Sequence, residues 1–155
     1  MLQFDFDESV GYWICTTSHA LRRALDAELA REKITLRQWE VLAWLAIEGE
    51  QSQVELAERL GIEAPTLAGI LTRMERDGWL ERYSCPEDRR RKRLRATPKA
   101  ESVWNRMVEC CGRVRERATE GIGPEELALF RLTCEKIRAN LSAGVYSPAE
   151  MHATT

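Results

Sequence analysis

Little in this sequence suits metal binding, catalysis or a membrane. Its 155 residues include only two histidines, His19 and His152. Neither lies within ligand spacing of a cysteine pair, so the usual zinc patterns are excluded and no metal or other cofactor is expected. No glycine-rich phosphate loop or nucleophile signature occurs, and scattered carboxylates make a weak case for acid–base chemistry, so no enzyme is expected. No apolar run approaches the roughly 18 residues of a membrane span. The opening MLQFDFDESV is acidic where a secretory leader is basic, so the expected compartment is the cytoplasm. The five cysteines, Cys15, Cys85, Cys110, Cys111 and Cys134, are odd in number and irregular in spacing. That argues against a disulfide framework and for a reducing compartment.

What is present is charge and helical periodicity. The chain is 44% apolar and 31% charged, which fits one folded, helix-rich domain. Its net charge of −2 conceals a patch: from Arg82 to Lys99 eight Lys/Arg stand against Glu87 and Asp88, so that segment is +6 and the rest is −8. A local field of this size steers anionic partners whatever the total.

Apolar residues at Val10, Trp13, Ile14, Leu21, Leu25 and Leu29 predict a first helix from about Ser9 to Glu32. Thr35 caps a second, whose Trp39, Val41, Leu42, Trp44, Leu45 and Ile47 spread round it as in a buried central helix, until Gly49 stops it. Ser52 and Glu55 form a capping box for a short helix with Val54, Leu56, Ala57 and Leu60, and Gly61 supplies the turn. Pro65 suits the first turn of the next helix, whose buried stripe is Leu67, Ile70, Leu71 and Met74 and whose outward residues are Ala64, Thr66, Ala68, Gly69, Thr72 and Arg73. Asp77 and Gly78 end it. Two short helices joined by a glycine turn make a helix-turn-helix. The alternating WLERYS, the charged CPEDRRRKR and the returning LRAT then predict a β-hairpin wing with a basic tip.

Thr97 caps and Pro98 opens a long helix to about Ala118, with Val103, Trp104, Met107, Val108, Cys111 and Val114 on one face. Gly121 and Gly123 break it. Pro124 opens a last helix with Leu127, Phe130, Cys134, Ile137 and Leu141 in heptad order and Leu129 and Leu132 outside that seam. The expected fold is mainly α with a small β-hairpin wing: a winged lobe over residues 34–96, helical dimerisation segments at 1–33 and 97–141, and a frayed tail at 142–155. The apolar helix surface exceeds what the lobe can cover, which predicts a homodimer.

Candidate contacts to double-stranded DNA are Ser52 and Gln53 at the start of the first helix of the pair, Ala64, Pro65, Thr66, Gly69 and Arg73 on the second, and Arg89, Arg90, Arg91 and Lys92 on the wing. With Arg93 and Arg95, the wing cations can displace counterions from phosphates, and an arginine at such a tip can enter a narrow minor groove. A basic run also serves as a solvated face, or meets RNA or a protein, so a winged-helix interaction module is the alternative.

The stretch QSQVELAERLGIEAPTLAGILTRMERDGWLERYSCPEDRRRKRLRATPKAE resembles the DNA-binding domain of MarR-type transcription regulators, and looks closest to their SlyA-like branch. The most specific mark is the Asp88-x-Arg90 step with its Leu94 to Thr97 return strand; the resemblance is strong over about residues 34–101. It implies a triangular homodimer with interlocked terminal helices, two winged lobes on a pseudo-palindromic operator, and relief of binding by small aromatic anions such as phenolic acids. It also implies that Arg90 reaches the minor groove while Asp88 orients the wing. SlyA-like proteins commonly carry arginine where this chain has Gly69, so the operator sequence does not carry over.

Trp13, Trp39, Trp104 and His19 are candidates for an effector pocket, with Trp44 also near; each also reads as core or, for His19, as an interface residue. Cys85, beside basic residues that lower a thiol pKa, is the candidate for a redox-sensing alternative. Cys15 reads as structurally buried, and Cys110 and Cys111 as packed in the dimer helix.

Overall fold

Three side-chain caps set the early helices. Ser9 accepts from the Tyr12 amide at the start of α1 (Val10–Arg31), while Thr35 and Gln38 form a reciprocal capping box on α2 (Leu36–Glu48). Ser52 and Glu55 form another on α3 (Gln53–Leu60), with Ser52 N–H donating to Glu55 Oε2 at 2.7 Å. Each box satisfies amides that a helix start leaves unpaired. Gly61 closes α3 in the left-handed region at φ +60°, and α4 (Ala64–Arg76) follows with proline in its first turn. The computed structural model describes residues 5–84 and 92–143, so the wing-tip residues Cys85, Asp88, Arg89, Arg90 and Arg91 lie outside the described residues.

Behind α4 the chain forms β2 (Leu80–Ser84) and β3 (Lys92–Ala96), antiparallel with Leu80 opposite Ala96 and Ser84 opposite Lys92. The hairpin is not alone. A two-residue strand β1 (Gln51–Ser52) pairs with the other edge of β3, giving a three-stranded sheet in the order β1-β3-β2. Ser52 therefore both caps α3 and pairs with Arg93. This mainly helical architecture with a small antiparallel sheet is the winged-helix fold.

The lobe's core joins Leu29, Val41, Leu42, Leu45, Leu56, Leu67, Ile70, Leu71, Met74, Leu80 and Leu94 with Val103, Met107 and Cys110 of α5 (Ala100–Ala118). The stripe expected on α4 is buried in full. Several expectations need correction. Ile47 is 71% exposed, so α2 is buried on one side only, and Val54 on α3 is exposed as well. Thr97 does not cap α5: its hydroxyl donates to the Gly78 carbonyl, tying the end of β3 to the end of α4, and the helix begins at Ala100. On α5 it is Cys110 that is buried, with Cys111 half-buried and Val108 exposed. Cys15 is exposed rather than buried.

The chain divides into two compact units, Met1–Ala118 and Thr119–Thr155. In the second, α6 spans Pro124–Ala143, and the tail expected to fray lies from residue 144 onward outside the described residues.

One buried charge joins α1 to α5. Glu28 is 3% exposed and meets Arg113 Nε at 2.9 Å, Arg31 at 3.1 Å and Arg117 at 3.4 Å. The Arg113 hydrogen bond, opposed by burial and aided by all three positive charges, holds its carboxyl below the usual range. A depressed folded pKa adds stability above the unfolded value of about 4.3, and that stability is lost as pH falls through the folded value. Glu28→Gln is therefore expected to lower the urea midpoint at pH 7, with the deficit shrinking in acid; a deficit independent of pH in paired melts contradicts this.

Candidate nucleic-acid interface

The outward face of α4 is built by its buried one. With Leu67, Ile70, Leu71 and Met74 locked into the core, Ala64, Pro65, Thr66, Gly69, Thr72 and Arg73 are left exposed. The N-cap residue Glu63 makes no side-chain cap bond, and Pro65 has no N–H. The first-turn amides of Ala64 and Thr66 have no acceptor among the described residues and stand at the positive end of a helix dipole, an arrangement that favours an anion. Arg73 forms no ion pair among the described residues, and Thr72 turns its hydroxyl back to the Ala68 carbonyl at 2.9 Å.

Gly69 sits midway along this face. A Cβ placed there would meet nothing within 4 Å, so glycine is not required by packing and a long side chain has open space. With glycine at this position, Arg73 is the α4 cation without an ion pair among the described residues, Arg76 lying 3.3 Å from Asp77.

The two residues proposed at the start of α3 have partners within the lobe. Ser52 is engaged in the capping box, and Gln53 Nε2 donates to the Ala64 carbonyl at 3.3 Å, holding the start of α4 against α3. Gln53 thus acts here as a positioning residue for the helix it adjoins.

At the root of the wing most charges are already paired. Arg95 Nε lies 2.6 Å from Glu81 and its guanidinium stacks 4.9 Å from the Tyr83 ring centroid. Arg82 meets Glu75 at 3.5 Å, Arg93 donates to the Glu50 carbonyl at 2.7 Å, and Lys92 reaches Ser84 Oγ at 2.8 Å. Tyr83 donates to the Glu50 carboxylate, which lifts the phenol pKa above its ordinary value. These bonds stiffen the strands on which the tip is carried. Sequence reading counted Arg93 and Arg95 among the wing's cations; the structure assigns their hydrogen bonds to the wing's own frame.

The proposed effector residues are only partly brought together. Trp39 and Trp104 stack with ring centroids 5.3 Å apart at 18°. Trp104 also lines an apolar cavity of about 270 Å³ with Leu42, Leu45, Ala100 and Glu101. Trp13 and His19 are exposed on α1 and line neither this cavity nor the α1–α5 cleft of about 340 Å³ formed by Ala20, Leu21, Ala24, Val114 and Arg117.

A helix-turn-helix backed by a winged sheet, with an anion-favouring helix end facing outward, defines the class as a winged-helix DNA-binding type. The MarR family profile matches residues 34–92. A solved transcriptional regulator, PA3341, is 34% identical, with 87% of this chain and 99% of that one covered at a TM-score of 0.78. The chain belongs to the MarR family of transcriptional regulators. It is also similar in fold to a MarR mutant from E. coli complexed with operator DNA (23% identity, 87% and 99% covered, TM-score 0.73). A further likeness is to Bordetella bronchiseptica BpsR, whose DNA binding is regulated by 6-hydroxynicotinic acid (22% identity, 88% and 98% covered, TM-score 0.73). No described helix is long and apolar enough to cross a membrane.

Proposed function

We propose that the chain is a cytoplasmic regulator of the SlyA-like branch that binds a pseudo-palindromic DNA operator as a homodimer and releases it when a small aromatic anion binds. The observation that carries this reading is the exposed α4 face, whose Ala64 and Thr66 amides and Arg73 guanidinium have no partner among the described residues, next to a wing whose strands are braced from within. In a two-fold dimer the two α4 helices would enter major grooves about 34–36 Å apart. The effector chemistry is drawn from the acid that regulates the Bordetella relative. Of the two apolar hollows, the α1–α5 cleft offers Arg117, one of three arginines that share the single Glu28 carboxylate, as counter-charge, whereas the Trp104 cavity presents Glu101, which repels an anion.

The test is a gel-shift titration with operator duplex. Arg90→Ala is expected to weaken binding about tenfold or more, because a wing arginine gains from the negative potential of a narrow minor groove, while sedimentation still reports a dimer. Unchanged affinity removes the wing from the mechanism. Preference for structured RNA in competition assigns the surface to RNA instead.

A further inference from the structure

We infer that the hollow between the end of α2, β1 and α3 is a binding site for a small organic cation with ammonium or guanidinium N–H donors. The hollow has a volume of about 500 Å³, within the range of small-molecule sites. Gln51, Glu48, Glu50, Glu58, Arg59 and Arg93 line it, together with Glu55, which caps α3. Among these Gln51 is the buried one, 5% exposed, and its side-chain Oε1 has no hydrogen-bond partner among the described residues. A buried amide carbonyl without a donor is uncommon in folded proteins and asks for an occupant that donates.

The rim supplies the charge. Four carboxylates face two guanidiniums, and the cations leave much of the acidity in place. Arg93 spends its bond on the Glu50 backbone carbonyl, the Glu50 carboxylate accepts from Tyr83 and lies 3.9 Å from Arg95, Arg59 stands 3.8 Å from Glu48, and Glu58 forms no ion pair among the described residues. A bare metal ion fits poorly, because no group of three or more His, Cys, Asp or Glu among the described residues is placed to hold one. A hard divalent ion takes about six oxygens around a point. A shaped cation is served better: one N–H end donates to Gln51 Oε1 while its charge lies among Glu48, Glu50 and Glu58. The site adjoins the β1–β3 pairing and is separate from the outward face of α4, so this proposal does not depend on the one for DNA.

The experiment is calorimetric titration of the full chain with agmatine and with putrescine, with 1,4-butanediol as neutral control and magnesium chloride at matched ionic strength. Saturable binding of a diamine, absent for the diol and for magnesium, is expected. Gln51→Met keeps the side-chain length but removes the acceptor, and is expected to weaken that binding about tenfold, the scale of one lost hydrogen bond to a charged group. Glu58→Gln, at an exposed position, weakens it less. The comparison of agmatine with putrescine tells which head group the site prefers. No saturable heat, equal binding by Gln51→Met and the parent, or an equal response to magnesium overturns the proposal; the last two describe water at Gln51 or a diffuse ion atmosphere. Should Gln51→Met fail to fold, the exposed Glu48→Gln/Glu58→Gln pair decides by the same comparison.

Discussion

A Thr66→Glu variant is expected to bind operator about a hundredfold more weakly while folding at least as well as the parent. The two effects have opposite signs because they share one cause. Thr66 lies in the first turn of α4, where the Glu63 side chain makes no cap bond and the following proline has no N–H. A carboxylate in that turn meets the positive end of the helix dipole, which favours the helix by about 0.3–1 kcal/mol. The residue is exposed, so no packing is disturbed. On DNA the same carboxylate occupies the place a phosphate would take and repels its neighbours. A tenfold loss at each of two half-sites, about 1.4 kcal/mol apiece, multiplies to the expected change. Thermal unfolding by circular dichroism gives the first sign and fluorescence anisotropy with labelled operator the second. Affinity within about threefold of the parent means that α4 does not face DNA, whatever its fold suggests.

The reason this helix was legible in the sequence is that its signals are local. Ser52, Glu55, Gly61 and Pro65 each dictate backbone geometry within a few residues, and the Leu67, Ile70, Leu71, Met74 stripe fixes which side turns inward. What escaped notice depends on distant partners. Strand β1 is two residues long and exists because β3 offers it an edge, so it has no alternation of its own. Thr97 looks like a cap because Pro98 follows it, yet its hydroxyl goes to Gly78, which only the folded lobe brings near. Gln51 carried no sequence signal as a site, since its burial follows from the pairing of β1. On α5, a shift of one position separates Cys110, which meets the Glu28 carbonyl at 3.6 Å, from Cys111. Periodicity alone resolves a helix face to about that width. The wing's charge was visible, but not its division: Arg82 and Arg95 face carboxylates from neighbouring elements, and Arg93 a backbone carbonyl 43 residues away in sequence. The second helix of the pair and its outward face were thus legible, while the free cations beside it were overcounted.

The second large effect concerns assembly. On α6, Leu129, Phe130, Leu132 and Leu141 are exposed, Phe130 at 59%. A helix gains little from such exposed residues in water, so their stabilising value would come from burial against another chain. Phe130→Asp is therefore expected to leave the monomer's fold intact. A side chain more than half exposed leaves no closed core cavity when removed, and Asp in a helix costs only about 0.7 kcal/mol or less relative to the best formers. In a two-fold interface the change occurs twice. Losing the burial of a large apolar side chain at about 1.5–3 kcal/mol each, with a carboxylate then forced out of water, raises the dimer dissociation constant by about a thousandfold or more. Sedimentation equilibrium across a dilution series reads this directly, and operator affinity should fall with it because a monomer engages one half-site. If the variant dimerises as tightly as the parent, the association surface excludes α6 and must be sought elsewhere, starting from the exposed Val10, Trp13, Ile14 and Leu21 of α1. If it becomes monomeric yet binds operator as before, two-fold recognition is the premise that fails, and the single winged lobe carries the affinity by itself.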